Sequence, residues 1–517
     1  MANKSLFTSL RGRLLPSTNA VNAHGAGTYE YGAQHKLAQL AMTGTMNQTF
    51  YAQAQDQVKE ILVQASAVDA EFLAKTAIYA RANGHMKDVP ALLLAVLSTL
   101  DVDLFAKTFP RVIDNGKMVR NFVQIMRSGV VGRKSLGSRP KTMIAGWLKE
   151  ASTRAFLQGT VGQDPSLADV IKMVHPKPMN AQQDALFAWA IGKPCDINLL
   201  PEEVQGFIRF KADNSSAVPD VPFQLLTSLS LSKEHWTEIA LKGGWHMVRM
   251  NLNTFARHGV LEDPEVVGLL VEKLMDPDVI KRARVFPYQL MAAYAMTGEK
   301  VPTVLRDALQ DAMELATQNV PVFDGNIVVC PDVSGSMTMP ITGYRQGASS
   351  RVRCIDVAGL IASTVLRQNK QAKVLPFECG VVDVSLNARD SVMTNAQRLS
   401  EIGGGGTNCS APLAKLNQDK AKVKLVLMIS DNQSWVDGNR YGATAVMKQW
   451  NKLKRRNPRA RLVCLDIAPY GASQATERED ILNIGGFSDQ VFGVINAFAK
   501  GELNADHFVG EIEKVTL

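Results

Sequence analysis

Through the first three-fifths of the chain apolar residues recur at helical spacing, and each stripe closes on a recognisable stop. Asp69 is placed to cap a helix in which Phe72, Thr76 and Tyr79 lie beside Leu73, Ala77 and Ala80 on one face, before Asn83-Gly84 ends it. Asp88 and Pro90 then open ALLLAVLSTL, which is apolar nearly all round and so reads as a helix sandwiched between neighbours. Further on, Asn180 caps DALFAWAI, closed by Gly192 and Pro194. Short connections, with no convincing strand before residue 325, predict antiparallel helix pairs stacked as an α-solenoid or a related superhelix. An irregular helical domain fits the same pattern, because no exact repeat period is found.

After Asn319-Val320-Pro321 the texture changes to β-rich apolar runs alternating with amphipathic helices, which is the pattern of a parallel sheet. NIVVC, KVLPFE, KLVLMIS and RLVCLDI read as strands; IDVAGLIASTVLRQ, APLAKL and TAVMKQWNKLKR read as helices. The expected fold is therefore multidomain, an all-α helical-repeat part followed by a doubly wound α/β domain whose ligand crevice lies at the carboxyl ends of its strands.

The 517 residues exceed a single ordinary core. A net charge of +8 favours an anionic partner, either nucleic acid or an acidic surface. The six cysteines, Cys195, Cys330, Cys354, Cys379, Cys409 and Cys464, form no CxxC pair, and reduced thiols in a cytosolic protein are expected rather than a zinc site. The start of the chain has basic residues but no apolar core before a cleavage site, and nowhere do eighteen apolar residues run together. A cytoplasmic protein without a membrane partner is expected.

The strand end Ile327-Val328-Val329-Cys330 runs almost directly into Asp332-Val333-Ser334-Gly335-Ser336, where such a fold places a ligand loop. An aspartate and two hydroxyls on alternate residues of a tight turn supply hard oxygen ligands, suited to Mg²⁺. Two later strand-to-helix crossings could complete the shell: Thr407 after Gly403–Gly406, and Asp431 after KLVLMIS. This three-part arrangement resembles the metal-ion-dependent adhesion site of von Willebrand factor A domains. The resemblance implies that the hydroxyls bind the ion directly, that the aspartates bind it directly or through water, and that an open position accepts a partner's carboxylate. DVSGS alone would read as a Ser/Asp turn; the two later loops make the metal site the better reading. No Gly-Lys-Ser/Thr follows the glycine run, so it is not read as a phosphate loop.

From Lys117 to Arg154 nine cations stand against the single acid Glu150. Glycines and serines interrupt the run at Ser128-Gly129 and between Gly132 and Pro140, which leaves backbone N–H groups available to phosphates. Arginine forks and lysines there would neutralise phosphates and make binding salt-dependent. A solvated basic face is the competing account, and it is the one preferred for the second basic run, Lys448 to Arg461. His85, His175, His246 and His258 show no paired spacing, and no catalytic constellation stands out.

A helical-repeat region joined to a C-terminal von Willebrand A domain resembles the Ro sixty-kilodalton autoantigen family, whose helical part is called the TROVE module. The text agrees at AMTGTMNQTFY (Ala41 to Tyr51), YARANGHMKDVPALLLAVLS (Tyr79 to Ser98), GRKSLGSRPKTMIAGWL (Gly132 to Leu148), DVIKMVHPKP (Asp169 to Pro178), MNLNTFARHGVLE (Met250 to Glu262) and RVFPYQLMAAYAMTG (Arg284 to Gly298). The GRKSLGS form looks like the bacterial, Ro sixty-related branch. The resemblance implies HEAT-like repeats closed into a ring over residues 1–322 and an A domain over 323–517 that holds the two ends together. It also implies a non-catalytic protein of RNA quality control. Small noncoding Y RNA would lie on the ring's outer basic side, and single-stranded ends of misfolded or damaged RNA would enter the cavity. A Y RNA could also tether polynucleotide phosphorylase, directing structured RNA to decay.

In the family the histidine of His-x-Lys-Pro contacts Y RNA, and it matches His175 with Lys177. The stretch Gln158 to Ser166 departs from the expected spacing, so no other basic contact is carried over. Arg120, Arg127, Arg133, Lys134, Arg139 and Lys141 are RNA-binding candidates by charge and by nearness to the matched motif. The runner-up is a metal-dependent adaptor whose A domain recruits acidic partners without RNA. A metal-dependent nuclease ranks last, since Asp332 and Asp431 with three hydroxyls do not supply the grouped carboxylates of two-metal catalysis.

Overall fold

The computed structural model describes residues 15–44, 46–213, 217–283, 287–344, 351–434, 442–468, 470–486, 489–503 and 507–517. The basic start of the chain through residue 14, and Thr45 and residues 284–286 of the stretches quoted above, lie outside the described residues. By contacts the chain divides into two compact units.

One unit is helical and comprises Asp69–Asp276 with Thr297–Ala308 and Val515–Leu517. The capping signals act as read: Asp69 accepts the Phe72 N–H at 2.8 Å to start Ala70–Ala82, and Asn180 accepts the Gln183 N–H at 2.9 Å to start Ala181–Ala190. The apolar helix Asp88–Leu100 buries every residue from Val89 to Ser98. It is enclosed because Ala70–Ala82, Val102–Val112 and Gly116–Ser128 all pack against it. Phe105, Phe109 and Phe122 join the last two helices through mutual ring contacts at 5.7–5.9 Å. Gly129, in the left-handed region at φ 88°, ends Gly116–Ser128, and the chain re-enters a helix at Ser138–Glu150.

The other unit comprises Met1–Val68, Pro277–Met296 and Leu309–Lys514. Its centre is a sheet of five parallel strands, with β3 (Ile327–Pro331) between β4 (Lys373–Val374) and β5 (Leu425–Ser430), then β6 (Arg461–Asp466) and β8 (Ile481–Gly485). β3, β5 and β8 are buried along their whole length, as strands covered on both faces must be. The helices Cys354–Gln368, Ala411–Gln418 and Ala445–Arg456 fall where their apolar stripes place them. KVLPFE keeps only two residues of regular strand, although Leu375 and Phe377 N–H still donate to Val329 and Pro331 carbonyls at 2.8 and 3.1 Å.

One expectation fails. Strands do occur before residue 325: β1 (Ala20–Val21) pairs with β2 (Gly27–Glu30), which in turn pairs with β7 (Ala472–Ser473). The division by contacts also differs from a boundary between 322 and 323. Tyr29 lies in one core cluster with Val328, Cys330, Met428 and Trp450, so residues near the start complete the core of the α/β unit. Helix Ala33–Thr43 lies against β8. No helix among the described residues is long and apolar enough to cross a membrane.

Candidate functional site

β3 ends at Pro331, and the Asp332 N–H continues its pairing by donating to the Ile429 carbonyl at 2.9 Å. The Asp332 carboxylate is then held from two sides. Oδ1 accepts the Ser334 N–H at 2.9 Å, an Asx turn, and Oδ2 accepts the Ser430 hydroxyl at 2.6 Å. That turn brings Ser334 Oγ within 3.3 Å of Ser336 Oγ. The glycine loop is stitched to it, since the Gly335 N–H donates to Gly405 O at 3.2 Å and the Gly404 N–H to Val333 O at 3.1 Å. Gly404 and Gly405 sit at φ 151° and 66°, which a side chain would resist. Thr407 follows, its carbonyl accepting the Ser434 hydroxyl at 3.2 Å. Asp431 stands after β5, with Oδ1 accepting the Gln433 N–H at 3.2 Å. The structure thus places Asp332, Ser334, Ser336 and Asp431 at the carboxyl ends of two adjacent strands, while Thr407 reaches them from a loop between helices Val392–Ser400 and Ala411–Gln418, not from the strand-to-helix crossing expected of it.

All five are at most 4% exposed. Burial, then the charge of Asp431, pushes the Asp332 carboxyl up to about 7 against the pull of its Ser334 and Ser430 hydrogen bonds. Asp431 is raised too, chiefly by burial and against bonds from Ser336 and the Gln433 backbone. Asp431 Oδ2 has no hydrogen-bond partner. Two buried carboxylates and an orphaned oxygen are costly unless a cation neutralises them. The donor set fits a hard divalent ion: carboxylate and hydroxyl oxygens only, with the serine oxygens spaced like neighbouring ligands about 2.1 Å from one centre. Among the described residues no group of three or more His, Cys, Asp or Glu comes together to hold a metal, so hydroxyls make up most of this set. Sequence reading missed Ser430, which fixes Asp332, because its hydroxyl reads only as the last residue of a buried strand.

The basic candidates separate by what their side chains do. Arg120 is 9% exposed, and its guanidinium donates to the Val161 carbonyl at 2.5 Å with longer bonds to Gln163 and Pro165 carbonyls. It ties its own helix to the loop 161–165. Arg133 donates to the Ser98 hydroxyl at 2.6 Å and carbonyl at 3.3 Å, tying the loop before Ser138–Glu150 to the buried helix. Arg127, Lys134, Arg139, Lys141, His175 and Lys177 are exposed. Arg127 Nη1 lies 3.1 Å from Met173 Sδ, which links Gly116–Ser128 to Leu167–Val174, the helix that His175 terminates in the left-handed conformation. Lys134 lies along Gly129 at the end of the Arg127 helix. Arg139 pairs with Asp103 at 3.7 Å, both well exposed. Lys117 and Arg154, outside the candidate set, line a cavity of about 410 Å³ with Arg120, Val218, Phe223 and Met247.

Residues 326–499 match the family model described as the Ro60 vWA domain. An RNA-binding protein RO60 of Deinococcus radiodurans is 24% identical over 532 residues, which cover 93% of this chain and 95% of that protein. An RNA-binding protein RO60 of Caenorhabditis elegans is 21% identical over 267 residues, 50% of this chain and 40% of the relative. The crystal structure of the Deinococcus radiodurans RO (RSR) protein superposes with a TM-score of 0.61 at 22% identity, covering 91% of this chain and 100% of that one. The resemblance to the Ro family read from the sequence is borne out, and the fold is a helical N-terminal region with a C-terminal von Willebrand A-type α/β domain.

Proposed function

We propose that this chain is an RNA-binding scaffold of RNA quality control, non-catalytic and cytoplasmic, whose RNA-facing surface is the basic face built by Gly116–Ser128, Ser138–Glu150 and the turn at His175. The supporting observation is that Lys134, Lys141 and Lys177 are exposed there without an ion-pair partner among the described residues, beside Arg127 and His175. Cations held at fixed spacing by helices, and not spent on the protein's own acids, neutralise phosphates and release counterions. The RNA is a small Y-like noncoding RNA. Misfolded or structured RNA is the second ligand, and polynucleotide phosphorylase is engaged through the RNA. The reading is supported by the name RNA-binding protein that both relatives carry.

The α/β unit holds a divalent cation, Mg²⁺ by the hardness of its donors, through Asp332, Ser334, Ser336, Thr407 and Asp431. Bound there, the ion would supply charge neutralisation and join three loops. Nothing in that donor set calls for a hydrolytic step.

Arg133 and Arg120 are unsuitable for testing the surface, since each holds the fold together. Lys134→Glu with Lys141→Glu tests it instead, on RNA that co-purifies with the native protein and is identified by sequencing. The double variant is expected to bind at least tenfold more weakly, with the salt slope shallower by roughly 1.5–2 for two lost phosphate contacts. Unchanged affinity and slope in a folded variant would remove this face from the account.

A further inference from the structure

Two ligand loops of the metal centre are bonded to two different stretches of the N-terminal segment. Beyond Asp431, Asn22 donates its side-chain amide to Ser434 O, and Gln433 Oε1 accepts the Ala23 N–H at 3.0 Å. Beyond Ser336, Asn47 Nδ2 donates to Thr342 O at 2.9 Å, the Tyr344 N–H donates to Gln48 O at 2.8 Å, and the Phe50 N–H points at Met339 Sδ at 3.3 Å. The two stretches meet where His24 Nε2 lies 3.0 Å from the Tyr51 hydroxyl. That hydroxyl stands close enough to the Ser336 side chain and to Asp431 to feel both. Tyr470 closes the other side, its ring edge-on to Tyr51 at 5.5 Å. The segment therefore spans the donor set, which accounts for Ser336 and Asp431 being 4% and 1% exposed at what the sequence marks as an open crevice.

We propose that the occupant of the outer face of the metal centre is this chain's own N-terminal segment, residues 19–44 and 46–52, with the Tyr51 hydroxyl, and no group of a partner, beside Ser336. The proposal rests on reading Asp332 and its companions as a metal centre. Charge favours a hydroxyl over an acid. A divalent cation balances the two buried aspartates, and a third carboxylate would leave a net negative charge in a site with almost no solvent. Tyr51 adds none, because a phenol is uncharged at neutral pH. Ion binding and docking of the segment are then one linked equilibrium: whatever the ion adds to the docked state, docking adds to the ion's affinity.

The test uses Mn²⁺ as probe on the full chain, pairing a binding titration with amide hydrogen exchange of residues 46–52. In the wild type Mn²⁺ slows exchange there by about tenfold or more, and Tyr51→Phe, which removes one hydroxyl, weakens Mn²⁺ by about three- to tenfold while the chain stays folded. Asp332→Ala abolishes the response of those amides to Mn²⁺. Mn²⁺ binding that leaves exchange at 46–52 unchanged, or a Tyr51→Phe affinity equal to wild type, overturns the proposal and leaves the metal centre standing. Failure of the wild type to bind Mn²⁺ overturns the metal centre itself, and the proposal with it.

Discussion

Asp332 is the residue on which charge, geometry and pH dependence meet. Its carboxyl is raised in the folded chain to about 7, against roughly 4 for an unfolded aspartate, by burial and by Asp431. The folded state therefore binds this proton more tightly than the unfolded chain, and this residue's contribution to metal-free stability falls as pH rises from about 4 to about 7 and is level above. Melts in a chelator should show the chain less stable at pH 8 than at pH 5 by on the order of 2 kcal/mol from this site. Asp332→Asn should reduce that difference, leaving the part that the raised Asp431 and Asp466 carboxyls contribute, and added Mg²⁺ should restore stability at pH 8 in the wild type alone. A variant with the same pH profile as wild type would place the titration elsewhere. Asp332, Ser334 and Ser336 were legible because three oxygen-bearing side chains fall on alternate residues after an apolar strand. Tyr51 was not, since nearly 300 residues separate it from Ser336. Charge was legible at Arg120 and Arg133 but its use was not, because composition does not show whether a guanidinium meets a carbonyl or solvent.

Elements were legible where their signal is local. Asp69, Asn180 and the stripe of Asp88–Leu100 specify helices whatever surrounds them. GTYE carries too little alternation to announce β2, which exists because β7, far along the chain, supplies its hydrogen bonds. Close helix approach is similarly silent in sequence. Gly116 and Gly159 lie where Gly116–Ser128 meets Thr153–Thr160, and a Cβ on Gly116 would collide with the Gly159 backbone. Gly159 has slightly more room, its Cβ falling 3.2 Å from Gly116 Cα, whereas Gly146 has nothing within 4 Å. Denaturant melts should therefore rank three alanine variants. Gly116→Ala should destabilise by ~2–3 kcal/mol through overpacking and Gly159→Ala by less. Gly146→Ala should stabilise by up to ~1 kcal/mol through helix propensity. A Gly116→Ala variant as stable as wild type would mean the two helices can part without cost.

For the whole chain, the two textures on either side of residue 320 announce two folds, but not that the α/β unit also needs residues from the start. The missing part is long-range in kind. Tyr29 fills the core beside Trp450, its hydroxyl donates to Pro16 O at 2.9 Å, and Tyr31 and Gln39 donate to the buried Asp466 carboxylate at 3.2 and 3.4 Å. Without them Asp466, whose carboxyl burial already raises well above the usual range, would lose donors while its surroundings stay apolar. A fragment of residues 323–517 alone should then be loosely packed, with poor NMR dispersion and binding of an apolar dye. Supplying residues 15–68, fused or in trans, should restore a cooperative melt, because that segment brings back both the core side chain and the carboxylate's partners. Should 323–517 alone melt cooperatively at the temperature of the same unit in the full chain, the N-terminal segment would be a passenger on the α/β unit and not part of its core.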